Sequence, residues 1–151
     1  MKIAVASDHR GYAVKEHIKD MLHQEGHVVE DFGCGSAESC DYPQTGLPAA
    51  EAVARGDCDM GILLCGTGIG MSIVANKVKG VLAALVHDEL TAALSRKHNS
   101  ANVLCLPADL VGEELIRRIV HVWLKTGFEG GRHERRVKGI ADYEGRSTPT
   151  A

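Results

Sequence analysis

Gly61-Ile62-Leu63-Leu64-Cys65-Gly66-Thr67-Gly68-Ile69-Gly70-Met71-Ser72-Ile73 is the stretch whose reading decides the fold. Ile62 to Leu64 is an apolar run of strand length, ending at Cys65 on a Gly-rich turn. Apolar residues resume at Ile69, Met71, Ile73, Val74 and Ala75, as in a helix entering a buried layer. Strand, turn and helix N-terminus make one device. The turn's N–H groups and the helix dipole face the strand's carboxyl end, where an anion can sit. Cys65 stands at its lip, where a thiolate is favoured. A plainer reading stands beside this one: a structural turn, with Cys65 as a small buried hydrophobe. Gly66-x-Gly68-x-Gly70 is not the dinucleotide fingerprint, because its third Gly comes one residue early, and no Gly-Lys-Ser/Thr follows.

Outward from that stretch the chain alternates. Strands are expected at 2–7, 27–32, 59–65, 81–87 and 103–106, and helices at 12–25, 47–54, 68–77, 89–97, 112–126 and 132–144. Gly33 to Gly46, rich in Gly, Ser, Asp and Pro, reads as a loop. Nearly all-apolar strands alternating with helices specify an α/β fold. It is a single-domain, Rossmann-like three-layer sandwich with a parallel sheet of about five strands. Residues 1–144 form the domain, and the turn-forming composition of 145–151 predicts a disordered tail. In such folds ligands bind at the carboxyl ends of the strands. Asp8 and His9 follow the first strand and Cys65 to Gly70 the third, but His98 and Asn99 precede the fifth. If they serve the same site, a neighbouring subunit has to deliver them.

The 151 residues fit one domain, and 44% hydrophobic with only 4% aromatic residues predicts an aliphatic core. A net charge of −3 gives no global basic excess for nucleic acid. Five cysteines without a C-x-x-C pair suggest neither a zinc ribbon nor a disulfide framework. Met1 runs straight into a strand, with no signal peptide, and no apolar run is long enough for a bilayer. The expectation is a soluble protein of a reducing cytoplasm.

Several side chains can carry chemistry. Cys65 is a candidate base or nucleophile. His98 is a candidate acid, or a helix-terminal His facing the dipole. Asn99 is an oxyanion donor or a C-cap, and Thr67 offers a hydroxyl between two glycines. Arg132 and Arg136, at i and i+4, share a helix face. They can hold a phosphate or carboxylate, or simply be solvated, and His9 can join them. The other histidines show no metal-ligand spacing and read as surface or structural, His133 beside Arg132 being the least settled. An anion hole, a thiol, a His acid and an Arg pair suggest aldose–ketose isomerisation of a phosphorylated sugar, the N–H groups stabilising an enediolate.

The ordered motifs Ser-Asp8-His9-Arg-Gly-Tyr, Asp41-Tyr42-Pro43, Leu-Cys65-Gly-Thr67-Gly-Ile-Gly70-Met-Ser-Ile, Ala75-Asn76-Lys77, Ser-Arg-Lys-His98-Asn99-Ser-Ala-Asn102-Val and Glu-Gly-Gly-Arg132-His-Glu-Arg-Arg136-Val cover residues 1 to about 144. By them the chain resembles the type B ribose-5-phosphate isomerases, whose family also holds the galactose-6-phosphate isomerase subunits. The resemblance implies Cys65 as the base shuttling the C2 proton, and His98, helped by Asp8, as the group opening the furanose ring. It implies Gly66, Gly68, Ile69 and Gly70 as the anion hole, with Tyr42, Thr67 and Asn99 at the sugar and His9, Arg132 and Arg136 at the phosphate. It further implies a metal-free and cofactor-free homodimer or tetramer, with sites between subunits and a C-terminal helix reaching the partner. One position departs. Before the long helix the family usually carries an arginine that assists with phosphate; here the stretch is Pro107-Ala108-Asp109-Leu110-Val111-Gly112. Asp109 would repel a phosphate, so it points elsewhere or the sugar differs at that end.

Overall fold

Five runs of Val, Ile, Leu and Ala form one parallel sheet in the computed structural model, which describes residues 1–146. The elements are β1 (Lys2–Ser7), α1 (Tyr12–Gln24), β2 (Val28–Asp31), α2 (Tyr42–Arg55), β3 (Met60–Cys65), α3 (Ile69–Asn76), β4 (Ala83–Leu85), α4 (Glu89–Asn99), β5 (Val103–Pro107), α5 (Glu113–Lys125) and α6 (Arg132–Arg146). The sheet runs β2-β1-β3-β5-β4. The order reverses between β1 and β3, so the crevice expected of an open α/β sheet lies beyond Ser7 and Cys65.

Alternation along the strands divides the core by size. Ile3, Val5, Ile62, Leu64, Leu104 and Leu106 face α1, α4 and α5, where Ile18, Leu22, Ile116, Ile119 and Trp123 are fully buried. Burial of each such side chain contributes about 1.5–3 kcal/mol. The other face carries Ala4, Ala6, Leu63, Cys65 and Cys105, packed by Ala49, Ala50 and Val53 of α2 and Met71 and Ala75 of α3. Small residues draw α2 and α3 close to the sheet. A Cβ on Gly46 would lie 2.7 Å from Met71 Sδ.

The three-layer reading holds, with differences at element ends. The second helix begins at Tyr42, inside the expected loop, because Asp41 is an extended N-cap and Pro43 sits in the first turn, where proline suits a helix. His98 and Asn99 close α4 instead of linking it to β5; Ser100, at φ 51°, is the left-handed cap. Asp88 caps α4, accepting from Thr91 N–H at 2.7 Å. The fourth strand is only Ala83–Leu85. Asn76 accepts from Ala83 N–H at 2.9 Å and donates to Ala83 O at 3.0 Å, while Asn102 accepts from Leu82 N–H at 2.8 Å. β4 is the edge strand, and these amides take main-chain groups that no neighbouring strand pairs. The last helix runs to Arg146, past the expected end at 144, and 147–151 of the expected tail lie outside the described residues.

On the opposite edge Lys15, fully buried, places its ammonium 2.7 and 2.8 Å from the two Asp31 oxygens. Burial pushes the Asp31 carboxyl up. Lys15, Lys19 and the Gly33 N–H outweigh it and hold it below the usual carboxylate range.

Candidate active site

Beyond Cys65 the chain turns through Gly68 at φ 73°, a left-handed conformation in which a Cβ would clash with Leu85 Cδ1. The turn brings the Gly68 N–H to 3.1 Å from Cys65 Sγ. It also starts α3, whose first N–H groups have no partner within the helix. Thr67 stands exposed, its Oγ1 accepting from Ile69 N–H at 3.3 Å. Gly70 faces Tyr42 so closely that a Cβ would lie 2.8 Å from the ring. The early start of α2 carries Tyr42 here.

Asp8, buried, accepts from the Arg10 and Gly11 N–H groups at 2.9 and 3.0 Å, which fixes its carboxylate beside the strand end. His9 Nδ1 lies 3.3 Å from both Cys40 N and Cys40 O and so is tied to the loop before Tyr42. Asp8, Arg10, Tyr42, Cys65, Gly66, Thr67, Gly70, Asp109 and Leu110 together line a cleft of ≈ 430 Å³. Asp109 therefore does not point away. Its N–H donates to Gly66 O at 3.0 Å and its carboxylate pairs with Arg10 Nε. That pairing offsets the charge that would repel an anion. A larger hollow of ≈ 510 Å³ on the α1–α4–α5 side is lined by Glu25, Glu89, Arg117, Arg118 and His121, and contains no cysteine, serine or threonine.

The cysteines separate by environment. Burial and the neighbouring Cys65 push the Cys105 thiol up, and burial with Glu30 pushes Cys58 up to about 11. Cys40 also rises to about 11, through burial and its contact with Cys34. Cys65 alone among the five has a backbone N–H donating to its sulfur among the described residues.

The rest of the expected site is elsewhere. Gly61 pairs with Val103 at the start of β3 and β5, and Cys65 with Pro107 at their end. His98 and Asn99, at the end of α4, thus lie at the opposite edge of the sheet from Cys65. Asn99 borders a hollow of ≈ 240 Å³ with Asn76, Leu82 and Ile140. Arg132 and Arg136 are exposed on α6, which packs against α4. The His98 ring is stacked on that of His133, centroids 4.2 Å apart and planes within 8°. Glu129 Oε2 lies 3.9 Å from His98 Nε2 and 3.7 Å from His133 Nε2. These three donors fall within 4.8 Å of one another, as a cation site would require. Parallel rings do not converge their lone pairs on one ion, however, and Arg132 and Arg136 act on His133 as positive neighbours. The set suits a proton better than a divalent cation. Sequence reading missed Glu129 and the Arg10–Asp109 pair and left His133 aside, because all three depend on contacts between distant segments.

The chain matches the family model described as Ribose/Galactose Isomerase over residues 3–140. It belongs to the ribose/galactose isomerase family. It is similar to ribose-5-phosphate isomerase B of Escherichia coli, 46% identical over 145 residues, which cover 96% of this chain and 97% of that one. The structure of ribose-5-phosphate isomerase B from Clostridium thermocellum superposes with a TM-score of 0.96 at 49% identity, covering 98% of this chain and 100% of the other. That of ribose-5-phosphate isomerase B from Mycoplasma genitalium, with bound ribulose-5-phosphate, gives 0.92 at 46% identity and 97% of each chain. Membership of the ribose/galactose isomerase family brings with it the chemistry of an aldose–ketose sugar-phosphate isomerase. No helix among the described residues is long and apolar enough to cross a membrane.

Proposed function

We propose that the enzyme interconverts ribose 5-phosphate and ribulose 5-phosphate through an enediolate, without a metal, in sites shared between two copies of the chain. The observation that carries this reading is the Gly68 N–H placed 3.1 Å from Cys65 Sγ, in a turn that opens into a cleft with Asp8 and Thr67. The thiolate takes the C2 proton, and the C–H electron pair becomes the C1=C2 bond. The Gly66–Gly70 N–H groups hold the resulting negative oxygen, an effect worth about 3 kcal/mol per well-placed donor. The proton returns to C1 while the O2 hydroxyl proton passes to O1, which gives the ketose.

Ring opening needs an acid at the ring oxygen. His98 fits that role by residue type, but it sits at the wrong edge of its own sheet. A second copy therefore brings His98, Asn99, Arg132 and Arg136 to the cleft, with Asp8 accepting the anomeric hydroxyl proton and His9 joining the arginines at the phosphate. Ile140 and Tyr143 are exposed on α6, suitable for contact with that copy.

Asp109 in the cleft favours a second reading of the substrate, an isomerase of another aldose or its 6-phosphate. The test is turnover of ribose 5-phosphate beside allose 6-phosphate, galactose 6-phosphate, ribose and allose by purified protein in a chelating buffer. Preference for ribose 5-phosphate is expected. Preference for another sugar would make Asp109 the mark of a rebuilt recognition end.

A further inference from the structure

We propose that His133 and Glu129 are positioning residues for His98: the parallel stack fixes the plane of the His98 ring, and the shared Glu129 carboxylate fixes its rotation. The inference rests on the reading of His98 as the ring-opening acid and adds what holds that acid in place. His133 is buried, whereas His98 is only half-buried, so one ring is a fixed wall and the other a working face. The main chain that carries the carboxylate is itself tied down. Glu129 N–H donates to Lys97 O at 3.1 Å, tying the segment before α6 to the residue preceding His98. His133 N–H donates to Gly130 O at 3.1 Å, which closes the first turn of α6 around the same point. Arg96 adds a third tie, its Nε donating to Thr126 O at 3.3 Å.

Charge supports the division of labour. Burial, then His98 and Arg132, with Arg136 in addition, hold His133 below the ordinary histidine range against the opposing pull of Glu129. An uncharged His133 can remain stacked when its neighbour carries a proton; two imidazoliums at 4.2 Å would repel. Glu129 faces both Nε2 atoms and favours whichever ring is protonated. The half-buried ring of His98, not the buried one, is then the ring free to meet the sugar.

The test uses the intact protein and two independent readouts. In steady-state turnover of ribose 5-phosphate, His133→Ala is expected to lower kcat about tenfold or more with little change in KM, since a misplaced acid weakens the transition state more than binding. His133→Phe, which refills the stack with a flat ring, is expected to recover most of that loss. Glu129→Gln is expected to move the alkaline limb of the kcat–pH profile toward lower pH, because a neutral amide no longer favours the protonated ring. Separately, NMR of ring-labelled histidine follows His133: its titration should rise in His98→Asn and fall further in Glu129→Gln. Equal losses in His133→Ala and His133→Phe with an unmoved pH profile would reduce His133 to a folding role and overturn the proposal. An unmoved His133 titration would overturn the stack itself. Titration shifts as expected with an unmoved kcat profile would uphold the clamp and remove His98 as the acid, so that failure falls on the underlying reading.

Discussion

At the carboxyl edge of the sheet the side chains of Asp8, Cys65 and Thr45 each engage main chain. Thr45 Oγ1 donates to Ser7 O at 2.9 Å, and Asp8 and Cys65 accept backbone N–H groups. At the amino edge His98, Asn99, Arg132 and Arg136 stand half-buried or exposed on two helices. The first group is held in place by the fold of one chain, as the proposed base and anion hole would require. The second has an outward-facing working surface and one internal brace, the His98–His133 stack. Under the proposed function a single sheet would carry two half-sites of unequal completeness, the less complete one being the half expected to serve a partner.

Mixing two dead proteins would break or sharpen that contrast most. Cys65→Ala is expected to lower turnover at least about a thousandfold, and His98→Asn about a hundredfold, with thermal midpoints near that of the parent. Co-refolded in equal amounts they should recover about a quarter of parental activity. Half of random dimers are mixed, and each mixed dimer holds one intact site. No recovery would mean that Cys65 and His98 serve the same copy or different reactions.

The edges should also differ in stability. Gly68→Ala places a Cβ at φ 73° against Leu85 and the Leu106 backbone, and should cost about 1–3 kcal/mol in denaturant unfolding as well as activity. Asn99→Ala, on an exposed helix end, should leave the midpoint unchanged within about 0.5 kcal/mol.

Between these lies Asp31, at the far side of the sheet. Its folded carboxyl is held low, so it adds stability that is present above the unfolded value of about 3.9 and lost as pH falls through the folded one. Lys15→Met should flatten that acid-side loss; an unchanged acid unfolding curve would show the buried pair to be incidental.

The smallest effect is expected at the cleft rim. Asp109→Asn releases the Arg10 guanidinium from a half-exposed pair, and should lower KM for a sugar phosphate about two- to fivefold without lowering kcat. A raised KM would show that Asp109 itself contacts the sugar.

Much of the carboxyl edge was legible because its signals are local. An apolar run, a cysteine and glycines at two-residue spacing specify strand, turn and helix within 13 residues. The start of α2 was not legible. Pro43 and Gly46 look like loop residues, and only contact shows that Gly46 is small to admit Met71 and that Pro43 suits a first turn. The amino edge was half legible. His98 before a strand already signalled the wrong end of the sheet, whereas the partners that hold it, Glu129 and His133, lie more than thirty residues away in sequence. Arg10 and Asp109 are separated by 99 positions, and no spacing rule joins them.

The distance between the edges has a consequence for anyone who dilutes this protein. If base and acid meet only across two copies, a lone copy can bind a sugar at Cys65 but has no acid to open it. Specific activity then becomes a measure of association. It should stay constant at high concentration, then fall with dilution once copies part, and return on reconcentration. The subunit dissociation constant could be read from a kinetic assay alone.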